Sequence, residues 1–202
     1  PALTEEPRKR PRVPGGVSTN ANPNGPFNSW LDMGLYDRCI TRGIPASMMP
    51  AGYGSYYRIV QSPDSVALTY EMIHETRVVP FMPPRSSVRR VSPVIKQFLG
   101  DARAWWEGDT LVVETRNFPA ETAPQRASTK VTMTERFTPV GPNLMEWRVT
   151  FDDASTWVRP WTYMMPLTKV AGTQEVHEYA CHEGNNAMRN ILSAQRAADR
   201  QK

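Results

Sequence analysis

The sequence predicts a mainly β protein: an antiparallel, up-and-down β-barrel of lipocalin-like or calycin-like shape, with a short N-terminal helix and a C-terminal helix. Three observations point there. From residue 56 the chain runs through about eight alternating or apolar segments joined mostly by hairpin-length turns. Its 19 prolines in 202 residues are roughly twice the usual share and favour short elements over long helices. A meander of that length has edges to hide, and closing into a barrel removes them. Such a barrel leaves an interior just wide enough for one small ligand. A two-sheet sandwich is the competing architecture.

Residues 1–29 hold six prolines with Gly and Asn and almost no periodicity, which reads as an extended or disordered arm before a single domain over 30–202. In SWLDMGLYDRCITRG (29–43), Ser29 can cap a short helix that ends near Gly43. PASMMPAGYGS (45–55) is a loop. YYRIVQS (56–62) leads through a Pro63-Asp64 turn into VALTYEMIHETRVV (66–79), read as one long strand with a bend. Residues 80–100 form a loop with a basic patch at Arg85, Arg89 and Arg90.

DARAWWEGDTLVVETRNF (101–118) flanks a Gly108-Asp109 turn and is the clearest hairpin. KVTMTERFTPV, the turn Gly141-Pro142-Asn143 and LMEWRVTFDD make a second one. TWVRPWTYMMPL (156–167) and EVHEYACHE (175–183) read as two further strands. NNAMRNILSAQRAADR reads as a helix with one apolar stripe of Met188, Ile191, Leu192 and Gln195.

The net charge of +4 comes largely from Arg8, Lys9, Arg10 and Arg12. The remaining chain is almost neutral, which argues against a nucleic-acid partner. No apolar run approaches the length of a membrane span. There is no Gly-rich phosphate loop, no G-x-S-x-G elbow and no zinc-type cysteine pair. The first residue is Pro1, compatible with a cleaved signal peptide or a trimmed chain. Two cysteines, Cys39 and Cys181, are compatible with one disulfide or with two buried thiols.

Polar residues fall on segments that otherwise read as core, and burying them unpaired costs several kcal/mol. A period-2 reading of 66–79 turns Tyr70, Met72 and His74 inward, and Glu71, Glu75 and Arg77 outward. Glu135 shares an inward face with Val131, Met133 and Phe137. Trp157, Arg159 and Trp161 share one face of one segment, with Pro160 implying an edge or bulge. An imidazole near its ordinary pKa of about 6.5 suits a general base. An inward carboxylate can orient it or act as an acid. A guanidinium between indoles suits a planar or anionic ligand. Each has a plainer reading: a core histidine bonded to a carbonyl, a salt bridge from Glu135 to Arg148 or Arg159, and an arginine stacked for stability. His177 and His182 lie five apart, on opposite strand faces. A metal held by His74, His182 and Glu135 is open without being demanded by the spacing.

DRCITRG (37–43), WWEGDTLVVETRNF (105–118), ERFTPV (135–140), TWVRPW (156–161), EYACHEGN (178–185) and MRNIL (188–192) together resemble a family of exported bacterial proteins to which no activity is attached. The resemblance covers about residues 30–192. It implies a periplasmic or secreted location and places Cys39 and Cys181 within signature segments, so it implies a bridge between them.

The expected function is a cofactor-independent lyase or isomerase, with hydrolysis open, acting on a small apolar or aromatic molecule, anions included. His74 would be the acid or base, Glu135 its partner, and Arg159 the group that stabilises developing negative charge. Tyr70, Trp147, Trp157, Trp161 and His182 would line the pocket. No metal or cofactor is assigned. The alternatives are a non-catalytic carrier of a small hydrophobic ligand and a metal enzyme using His74 and His182.

Overall fold

The computed structural model describes residues 1–4, 25–83, 90–171 and 176–201. The arm residues 5–24, Arg85 and Arg89 of the basic patch, and Glu175 of the last expected strand lie outside them. Eight antiparallel strands follow one another as a meander: β1 (Tyr57–Gln61), β2 (Ser65–Tyr70), β3 (Thr76–Pro80), β4 (Asp101–Glu107), β5 (Thr110–Arg116), β6 (Thr132–Gly141), β7 (Leu144–Asp152) and β8 (Trp161–Thr168). They form two sheets, β1-β2-β3 and β4-β5-β6-β7-β8. One helix, α1 (Ala187–Asp199), closes the chain.

Among the described residues the strands form no closed barrel. Between β3 and β4 the link is a single bridge from Phe81 to Ala104, with Met82 N–H donating to the Ala104 carbonyl at 2.8 Å. Among the described residues no pairing joins β8 to β1. The two sheets instead share one core. Val66, Leu68, Tyr70 and Val79 of the first pack with Leu111, Val113, Met133, Phe137, Trp147, Val149 and Phe151 of the second. The long loop between β3 and β4 interrupts the ladder.

The Gly108-Asp109 hairpin forms, with Gly108 at φ 58°, where an L side chain is strained. The register slips between Pro139 and Gly141, at a proline that cannot donate to the ladder. Residues 66–79 are two strands, not one. A 3₁₀ turn at Met72–His74 folds β3 back against β2, with Ile73 at φ 59° and His74 at φ 41°.

Segment 156–167 is also divided: residues 157–160 form a bridge and bend before β8. Residues 176–183 are not a strand. The expected helix over 30–42 is a single 3₁₀ turn, Trp30–Asp32. The Leu31 N–H donates to the Ser29 hydroxyl at 3.2 Å, and the Ser29 N–H donates to Asp32 Oδ2 at 2.8 Å. Met33 is extended and ends it; irregular turns then carry the chain to Gly43.

Cys39 and Cys181 are bridged, with Cα atoms 5.7 Å apart. The bond fastens the C-terminal segment to the turns that precede β1. None of the residues of α1 is buried. The helix leans on residues 25–28, where the Phe27 N–H donates to Gln195 Oε1 at 3.1 Å. No described helix is long and apolar enough to cross a membrane.

Candidate functional site

Glu135 is where its alternation predicts, on the inner face of β6. The ladder places Val113, Glu135, Val149 and Tyr163 in one row across β5 to β8. The inner face of β2 and β3 covers that row, and Arg77 meets it there. Arg77 Nη2 lies 2.7 Å from Glu135 Oε2, with both side chains almost fully buried. The N–H does not point squarely at the oxygen, so this is an ion contact. Arg77 Nε and Nη1 and Glu135 Oε1 have no hydrogen-bond partner among the described residues. The same is true of the Tyr163 hydroxyl and of Nε1 of Trp147 and Trp161, while the Tyr70 hydroxyl stands close to the Arg77 guanidinium without well-formed hydrogen-bond geometry.

Taking two charges out of water costs more than their attraction returns unless further hydrogen bonds complete the pair. Burial by itself would lower the Arg77 pKa; Glu135 and then Tyr70 outweigh it, and the net direction is upward. Burial pushes the Tyr70 hydroxyl well up. Burial and then Glu135 do the same to Tyr163. Both phenols are therefore neutral donors at any ordinary pH.

Arg77 also belongs to the wall of a cleft of about 340 Å³ at the seam between the sheets. Thr76, Val78, Gln97, Gly100 and Asp101 form other parts of that wall. Gly100 sits at φ 70°, and a Cβ there would stand 2.6 Å from Thr115 Cγ2 and 2.7 Å from the Arg116 carbonyl oxygen.

The expected trio of His74, Glu135 and Arg159 is not assembled in one interior. His74 is exposed at the tip of the β2–β3 hairpin, where Nδ1 is 3.1 Å from the Tyr179 carbonyl oxygen. A carbonyl only accepts, so Nδ1 carries the proton there. Arg159 is exposed, because the bend at 158–160 carries it out past Trp157. His182 is exposed beside the disulfide, so His74, His182 and Glu135 do not share a site. Among the described residues no three His, Cys, Asp or Glu side chains gather as a metal site.

Tyr70 and Trp147 are buried beside the ion pair, in the same core. Trp157 and Trp161 do meet, edge to face at 5.6 Å, and both pack on Phe151 at 5.8 and 4.8 Å. The guanidinium that stacks on an indole is Arg38, 4.5 Å from the Trp30 ring centroid.

Two groups escaped the sequence reading. Arg77 was placed outside by carrying one alternation through residues 66–79. The tyrosines Tyr36, Tyr53 and Tyr179, which gather near His74, sit in loops where no periodicity marks them. No family model, curated protein or solved structure matches the chain at a significant level.

Proposed function

We propose that the protein is an exported bacterial protein that binds a small polar molecule, aromatic ones included, at the seam between its two sheets. Arg77 and Glu135 are the recognising pair, and Tyr70 and Tyr163 are neutral hydroxyl donors. The observation that carries the reading is the buried Arg77–Glu135 contact, which leaves donor and acceptor atoms without partners in the core while Arg77 itself belongs to the wall of an open cleft. A ligand with both a donor and an acceptor would complete those atoms and offset the desolvation cost of the pair. Phe137, Trp147 and Tyr163 pack together in the core, with ring centroids 6.2 and 5.6 Å apart in sequence.

The exposed placement of His74 and Arg159 gives no support to a lyase or isomerase acting at Glu135, so binding is preferred to catalysis. Export is favoured by the disulfide, which persists in oxidising compartments.

Thermal unfolding against a panel of small carboxylic acids, amino acids and phenolic acids tests this. A ligand at a hundred times its Kd adds about 2.7 kcal/mol, and some member of the panel is expected to raise Tm. The double replacement Arg77→Met with Glu135→Leu should fold and lose that rise. A rise that survives the double replacement, or a panel with no effect, contradicts the reading.

A further inference from the structure

We propose that Tyr36, Tyr53 and Tyr179 form a binding site for a ferric ion, separate from the seam. The three phenol oxygens come from chain segments far apart in sequence. Tyr36 Oη is 3.3 Å from Tyr179 Oη, and Tyr53 Oη is 3.4 Å from the same atom. Hydroxyl–hydroxyl hydrogen bonds centre near 2.7–2.8 Å, so the group is spread wider than mutual hydrogen bonding requires. An ion about 2.0 Å from each oxygen, an ordinary metal–oxygen distance, would see neighbouring ligands ~110–116° apart. Those two angles, each between Tyr179 and one of its neighbours, suit tetrahedral or trigonal ligands.

The donor type selects the metal. A phenol ordinarily loses its proton near pH 10, so a weakly acidic divalent cation does not displace it at neutral pH. A trivalent hard cation does, and tyrosinate is an established ligand of protein-bound iron. Binding releases up to three phenol protons to solvent and involves no change of oxidation state. Burial, the largest cause, raises the Tyr36 and Tyr179 hydroxyls above the ordinary phenol range, and the hydrogen bond to Tyr179 lowers Tyr53, so the trivalent charge itself must draw off the first two protons; the Arg42 charge, the smallest of the causes, helps at Tyr36 and Tyr53. Its Nη1 is buried without a hydrogen-bond partner among the described residues, so that charge is available to offset the anionic ligands.

The site is also held in place. Tyr179 is two residues from the disulfide, its carbonyl is fixed by His74, and its ring stacks on Tyr53 at 6.0 Å and 10°. The Tyr36 hydroxyl donates to Met72 Sδ at 3.1 Å in the free protein, and that bond is given up with the phenol proton when iron binds. Tyr53 is 64% exposed, so an ion reaches the face from solvent and keeps water on its open side.

The test is titration of the full-length, disulfide-intact protein with ferric nitrilotriacetate. A visible phenolate-to-iron charge-transfer band should appear and saturate at one iron per chain. Tyr53→Phe, an exposed replacement that leaves the core alone, should weaken binding at least tenfold with an unchanged near-ultraviolet circular dichroism spectrum. Tyr179→Phe should remove the band. The double replacement at Arg77 and Glu135 should keep it, so this proposal and the seam reading stand or fall separately. No band in the wild type overturns the proposal, as does a band unchanged in both tyrosine variants. Stabilisation by inorganic phosphate that depends on the same tyrosines, with no iron band, also overturns it and would identify an oxyanion site.

Discussion

Arg77 and Glu135 each stand at the centre of an apolar face, and each is tolerable only because the other faces it. Glu135→Ala leaves a buried guanidinium without its partner and should cost about 3–5 kcal/mol. The double apolar replacement should unfold at a urea concentration close to or above that of the wild type. Equal losses in single and double variants would mean that side-chain volume, and not charge, holds the sheets. Asp153 gives a pH prediction. Burial alone would raise its pKa, but Thr156, Ser155 and Ser128 donate to its carboxylate and hold it at about 2, below the ordinary 3.8. A depressed folded-state value adds stability that is complete above the unfolded value. That stability should be lost as pH falls through 3.8 towards 2. Urea midpoints of wild type and Asp153→Asn should therefore converge over that window; a constant gap between them contradicts the assignment.

At the scale of elements, Glu135 was legible because nothing interrupts the alternation of β6, so its face follows from counting in twos. Arg77 was not, because it lies seven positions after Tyr70 and a continuous strand puts them on opposite faces. The 3₁₀ turn at Met72–His74 resets the phase and turns both inward. That turn carries no Gly, Asn, Asp or Pro, and its Ile73 takes a positive φ that a β-branched residue rarely adopts, so tertiary packing and not local propensity imposes it. The misreading of His74 follows from the same turn. Residues 176–183 alternate like a strand, but the disulfide and the Tyr179 contacts hold them as a tether without a ladder partner. The seam offers its own test. Gly100→Ala drives a Cβ into Thr115 and the Arg116 carbonyl in a left-handed backbone and should cost about 2 kcal/mol or more. Chemical denaturation reads it, and a neutral result would mean the cleft wall yields.

For the whole molecule, the antiparallel order was readable from turns and alternation, but closure was not, and the count of eight agrees only because one expected strand divides in two while another does not form among the described residues. A barrel and two facing sheets need the same inward pattern, and what separates them is the pairing between β3 and β4 and between β8 and β1. The disulfide closes a span of 142 residues, which in the chain-entropy model is worth about 5 kcal/mol. Since α1 buries no residue, that bond is the chief fastener of the C-terminal segment. Replacing both cysteines by serine should raise amide exchange in 176–200 and leave β5 to β7 protected. Uniform loss of protection would mean the tether also supports the core.

The central claim is that the buried charge pair at the seam recognises a small molecule. Native mass spectrometry of protein exported to an oxidising compartment, before and after incubation with the ligand that raises Tm, tests it most directly. The account predicts one bound molecule per chain in the wild type and none in the Arg77→Met, Glu135→Leu variant. Equal occupancy in both proteins would contradict it.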